Sequence, residues 1–116
     1  MLHKVYTLRR KEVKEVVRKG ITYRGKSLVL KTVKNKLPFS RWSFIVPSRV
    51  SKEAIERNRL KRLIREGFQK EIRDIKPGFD GIILARATAL KQNYKEINKE
   101  IDNLLKVSGL KETSDL

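Results

Sequence analysis

The stretch Arg57-Asn58-Arg59-Leu60-Lys61-Arg62-Leu63-Ile64-Arg65-Glu66 sets five cations within ten residues. Leu60, Leu63, Ile64, Gly67, Phe68, Ile72 and Ile75 recur at three- and four-residue steps, the spacing of one buried helix face. Asn58, Lys61, Arg62, Arg65 and Gln69 follow the same steps on the opposite face. A helix anchored by its apolar side would hold these cations and amides in a fixed comb. The chemistry open to such a comb is recognition. A planar guanidinium fork suits phosphate oxygens, and the Asn58 amide can both donate and accept at a base edge or a 2′-hydroxyl. Charge runs on helices are usually solvated faces laced with i,i+4 acid–base pairs. Here Glu56 and Glu66 flank the run and do not interleave with it. Uncompensated cations at these spacings repel, so they cost stability unless a polyanion binds. The balance falls on a surface for folded nucleic acid.

Residues suited to covalent or acid–base chemistry are sparse. His3 is the only histidine, close to the first residue, and there is no cysteine, which excludes disulfides and thiolate metal sites. No glycine-rich loop fits a phosphate-cradling or dinucleotide motif. Asp80 is the only acid in the predicted strands, so the paired carboxylates of two-metal catalysis are not visible. Gly78-Phe79-Asp80-Gly81 reads as the entry to a strand. An autonomous nuclease site is not expected.

The 116 residues suffice for one domain with a modest core, expected over 1–116 with its structured part at about 7–109. The net charge of +16 points to RNA, DNA or an anionic membrane. Its distribution is uneven. Residues 1–36 hold 12 Lys/Arg against two acids, residues 37–86 hold 12 against six, and residues 87–116 hold five against five. The basic charge therefore belongs to the first three quarters of the fold and not to a tail. No apolar run approaches the roughly 20 residues of a membrane span, and Met1 to Arg10 lacks the apolar centre of a secretory signal, so the cytoplasm is the expected compartment.

The elements that must carry the comb are legible in outline. Thr7 is placed to cap a first helix over 8–19, ended by Gly20. Ile21–Arg24 and Leu28–Val33 read as strands around a Gly25-Lys26-Ser27 turn. Arg41–Val46 alternates, with Trp42, Phe44 and Val46 on a core face, and Pro47 closes it. Ser51 is placed to cap the long helix, which runs to about Asp74. Phe79–Ala85 is a continuous apolar strand, as a central position requires. Tyr94, Ile97, Ile101, Leu104 and Leu105 mark a last amphipathic helix with Gly109 past its end, and 110–116 are expected to fray. The order is α-β-β-β-α-β-α, and the helix between the third and fourth strands implies a βαβ crossover.

Within this order, Ala54-Ile55-Glu56-Arg57-Asn58-Arg59-Leu60-Lys61-Arg62-Leu63-Ile64-Arg65-Glu66 resembles the signature A-V-x-R-N-R-x-K-R-x-x-R-E of the bacterial ribonuclease P protein subunit. Val17-Arg18-Lys19-Gly20, Leu28-Val29-Leu30 and Pro77-Gly78-Phe79-Asp80 with Ile82-Ile83-Leu84-Ala85-Arg86 resemble further segments of that family, so the likeness covers about residues 8–107. It implies an α/β (α+β) two-layer sandwich like the second domain of a ribosomal protein, with a four-stranded mixed sheet and a left-handed crossover where the usual rule gives a right-handed one. It also implies a role. The family's catalyst is an RNA, which this small basic protein binds to remove the 5′ leader of precursor tRNA, using Mg²⁺ bound mainly by the RNA.

Carried over by position, the resemblance assigns Arg57, Asn58, Arg59, Lys61, Arg62 and Arg65 to the catalytic RNA. It assigns Val13, Val17, Lys31, Arg41 and Ser43 to a cleft between the first helix and the sheet that receives the single-stranded leader. The family often has phenylalanines near Val13 and Val17 and a tyrosine near Lys31; valine and lysine cannot stack on bases in that way. The implied partners are the catalytic RNA and precursor tRNA, with the protein monomeric, one copy per RNA, and no membrane. No protein-bound metal and no catalytic side chain are expected. Two other readings compete. A ribosomal or ribosome-assembly protein would carry similar charge, but more often in extended basic tails. A protein-only nuclease would need the carboxylate or histidine set that is missing.

Overall fold

Each predicted strand is rich in β-branched or aromatic residues and each predicted helix has a 3.6-residue apolar stripe; the computed structural model, which describes residues 6–112, contains all of them. The elements are β1 (Tyr6–Thr7), α1 (Arg10–Lys19), β2 (Ile21–Arg24), β3 (Leu28–Lys34), β4 (Arg41–Ile45), α2 (Ala54–Glu71), β5 (Phe79–Ala85) and α3 (Tyr94–Val107). A 3-10 turn follows α2 at Ile72–Asp74, and another follows β5 at Ala87–Lys91.

One sheet runs in the order β1-β4-β5-β3-β2. β4 pairs parallel with both β1 and β5, while β3 pairs antiparallel with β5 and β2. The four expected strands are joined by a fifth, the two-residue β1, so the expectation of a four-stranded sheet is corrected. Thr7 is therefore not a helix cap: its backbone is extended and pairs with Trp42. α1 starts at Arg10, where the Glu12 carboxylate accepts the Arg9 backbone N–H at 2.7 Å.

The helices divide between the two faces of the sheet. Leu28, Leu30, Trp42, Phe44, Ile83 and Ala85 point to one side and bury against Leu60, Ile64 and Phe68 of α2 and Ile97, Ile101, Leu104 and Leu105 of α3. Val33, Ile45 and Ile82 point to the other side and pack with Leu8, Val13 and Val16. The two-layer sandwich thus becomes three layers, because alternate residues of the central strands are apolar on both faces. Trp42 and Phe44 belong to the core, as their shared face implies. A Cβ on Gly81 would lie 2.3 Å from the Trp42 ring, so only glycine lets that ring lie across β5.

Two buried acids lock the periphery. Glu100 of α3 accepts the backbone N–H groups of Ser27 at 2.8 Å and Leu28 at 2.5 Å and the Ser27 hydroxyl at 2.7 Å, which pins the β2–β3 turn. Asp80 is taken up below. Residues 110 and 111, expected to fray, are anchored, while 113–116 lie outside the described residues. Leu110 is buried and its carbonyl accepts the Lys76 N–H at 2.8 Å. Lys111 donates to Glu71 and Asp102, each at 2.6 Å, and these bonds push its ammonium up to about 12. His3 lies outside the described residues.

Candidate nucleic-acid interface

α2 is held from behind. Leu60, Ile64, Gly67 and Phe68 are buried, and Gly67 meets α3 so closely that a Cβ would lie 2.3 Å from Asn98 Oδ1. Asn58, Arg59, Lys61, Arg62 and Arg65 are exposed on the other side. Among the described residues none of the four cations in this set forms an ion pair. Glu56 accepts the Ser51 hydroxyl at 2.6 Å. The comb read from sequence is thus presented by a rigid helix with its charge uncompensated, the arrangement that favours a polyanion.

Ser51 does not cap α2. Its hydroxyl oxygen accepts the Glu53 N–H at 3.1 Å, and the helix begins after Glu53. Arg57 also differs from its neighbours. It is half-buried, and its Nη1 donates to the Ser51 carbonyl at 2.7 Å, bracing the loop before α2. Arg57→Ala is therefore expected to cost stability, about 1 kcal/mol from the lost hydrogen bond. Arg62→Ala should leave stability unchanged. Parallel urea melts of the two variants check this.

The residues expected to receive a leader lie on one face of the sheet or on the helix that covers it. Strand register sets Lys31 and Ser43 on either side of Ile82 and sets Arg41 beside Asp80, all on the face that carries α1. Val13 is half-buried there, while Val17 is 48% exposed at the outer end of α1. The Lys31 ammonium lies 3.4 Å from the Val17 carbonyl, in the last turn of α1, where the helix dipole favours a cation. Arg41 is not a spare cation. It grips Asp80 bidentately at 2.9 and 2.7 Å and donates to Glu12 at 2.5 Å. The Asp80 hydrogen bonds, with both carboxylate charges, raise its pKa, and the three-residue cluster is net negative. Arg41 thus ties α1 to β4 and β5. Sequence reasoning noted Asp80 as the lone strand acid without pairing it with Arg41, and it did not single out Glu12. The available signal was a lone acid in an apolar strand, which cannot be buried without a cation.

Ser43 connects the two surfaces. It lines a hollow of about 260 Å³ with Thr7, Lys61 and Arg65, at the edge where β1 has ended and β4 has no further neighbour. The sheet face that carries α1 and the cationic side of α2 therefore meet at β4. Tyr23 is partly buried against the core, which leaves it little face for stacking.

Comparison with known proteins accords with this geometry. The sequence model of the ribonuclease P family matches residues 2–108. The chain belongs to the ribonuclease P protein family. The ribonuclease P protein component of Clostridium botulinum (strain Loch Maree / Type A3) is 37% identical over 101 residues, covering 86% of this chain and 90% of that one. That of Clostridioides difficile (strain 630) is 38% identical over 96 residues, covering 82% and 83%. The solved RNase P protein of Staphylococcus aureus superposes with a TM-score of 0.83 at 26% identity, covering 92% of this chain and 98% of that one. That of Thermotoga maritima gives 0.79 at 26% identity, covering 87% and 96%. As a ribonuclease P protein the chain is a subunit of the tRNA-processing enzyme, and the ribosomal alternative is set aside.

Proposed function

We propose that this ribonuclease P protein is the accessory subunit of an RNA catalyst. In this reading Asn58, Arg59, Lys61, Arg62 and Arg65 contact the RNA subunit, with Arg57 both bracing α2 and adding a contact. The unpaired cationic face of an anchored α2 carries the proposal. The 5′ leader of precursor tRNA enters the cleft bordered by Val13, Val17, Lys31 and Ser43, with Arg41 as a structural tie at its end. Lys31 supplies charge where an aromatic ring would supply stacking, so leader binding leans on phosphate contacts and responds to salt. The protein works in the cytoplasm as a monomer, one copy per RNA. The crossover from β4 through α2 to β5 takes the family's left-handed form.

Hydrolysis of the leader phosphodiester needs Mg²⁺. The acids nearest the cleft do not fit such an ion: Glu12 and Asp80 are committed to Arg41. The ion belongs to the RNA in this account, where phosphate oxygens can hold it, and no protein side chain takes a chemical step. The test is cleavage of precursor tRNA in Mg²⁺ by the protein alone, the RNA subunit alone, and both. We expect no product from rigorously RNA-free protein and the fastest cleavage from the pair at low salt. Cleavage by protein alone, abolished by a side-chain substitution, would overturn it.

A further inference from the structure

Beyond the cleft, the start of β4 borders an aromatic hollow. The Tyr6 and Phe39 rings lie 4.3 Å apart between centroids, tilted by 31°, and Tyr6 is 40% exposed. With Pro38, Trp42, Ile75 and Pro77 they wall a hollow of about 300 Å³. Tyr6 stands opposite Arg41 in the β1–β4 register, so the hollow lies at the Arg41 end of β4.

Its walls are fixed in advance. The Asn35 side chain accepts the Leu37 N–H at 2.8 Å and donates to the Phe39 carbonyl at 3.1 Å and to Asp80 at 2.8 Å. Ser40 accepts the Phe79 N–H at 3.1 Å and donates to the Lys76 carbonyl at 3.0 Å, joining the two sides of the hollow. Aromatic groups held this way lose little conformational freedom when a ligand arrives. Among the described residues no acid lines the hollow; Lys76, between the lining residues Ile75 and Pro77, and Lys36, two positions before Pro38, are exposed, as is Asp74 on the far side of Ile75. An apolar slot with an accessible ring and lysines at its rim suits a flat group on an anionic tether.

We propose that the Tyr6–Phe39 hollow receives one unpaired nucleobase of single-stranded RNA by stacking, with Lys36 and Lys76 taking the adjoining phosphates. The proposal rests on the reading that this protein accepts single-stranded RNA, and it carries the strand's path past Arg41. The test is a fluorescence titration of the full chain with an oligoadenylate and with an abasic strand of the same length and phosphate count. Trp42 is the only tryptophan and lines the hollow, so its emission reports occupancy there. The oligoadenylate should bind more tightly by roughly 5- to 150-fold, the range for stacking one base, and should change the Trp42 emission. Tyr6→Phe should keep that preference and Tyr6→Leu should lose it, with melting curves showing that both variants fold. Lys36→Ala with Lys76→Ala should flatten the salt dependence for both strands equally. Equal affinity for the two strands, or an unchanged preference in Tyr6→Leu, would overturn the hollow as a base site while leaving single-strand binding intact. Failure of both strands to bind at low salt would overturn the single-strand reading together with the hollow.

Discussion

Replacing Arg59, Arg62 and Arg65 together with alanine is expected to weaken binding of the RNA subunit by about two orders of magnitude. All three project from the exposed side of α2 with no acid paired to them among the described residues. Each phosphate contact releases condensed counterions and adds about 0.7 to 0.9 to the slope of log affinity against log salt. Losing three should flatten that slope by roughly 2 to 3 units. The fold should not suffer, since the buried residues of α2 are Leu60, Ile64, Gly67 and Phe68 on its other side. Removing mutually repelling charges can even raise the melting temperature at low salt. Filter binding across a salt series, beside thermal melts, measures both. An unaltered slope would mean that α2 does not face the RNA.

Asp80→Ala should be the most damaging single change near the cleft, costing about 3 kcal/mol of stability. Its carboxylate is 6% exposed as a residue and receives two bonds from Arg41 and one from Asn35. Without it the Arg41 guanidinium keeps only Glu12, and the loop bearing Phe39 loses an anchor. The cost lies in the stranded charge, so replacing Arg41 and Asp80 together by apolar residues of similar size should cost much less than Asp80→Ala alone. Equilibrium denaturation of the three proteins decides this. A double variant as unstable as the single one would mean that the pair matters for its attraction and not for its burial. Because Glu12 belongs to α1, Asp80→Ala should also reduce the preference for precursor over mature tRNA.

The parts of this molecule that were legible in its sequence are those with local periodicity. The α2 comb and its buried back share a 3.6-residue repeat, and Phe79–Ala85 is apolar throughout, so each could be placed from its own residues. What was not legible depends on distant partners. β1 is two residues long and pairs parallel with a strand some 35 positions later, so nothing in Tyr6-Thr7 announces it. Arg41 reads as a free cation until its acids, 29 and 39 residues away, are brought beside it. Ser51 looks like a helix cap because serine suits that role, but it caps the preceding turn instead. Leu110 reads as a tail, yet it is buried in the main core because the chain turns back after α3 at Gly109, whose φ of +79° suits glycine.

We expect α2, with its unpaired cations, to face the RNA subunit, and the outer side of α3, in the charge-balanced last quarter of the chain, to face away from it. The chain has no cysteine, so an iron chelate can be tethered at one chosen position. Lys61→Cys places it on α2 and Lys99→Cys on exposed α3. With the RNA subunit bound in Mg²⁺, hydroxyl radicals from position 61 should cut the RNA at a few clustered nucleotides, and those from position 99 should leave it intact. Cuts from position 99 with none from position 61 would contradict the account.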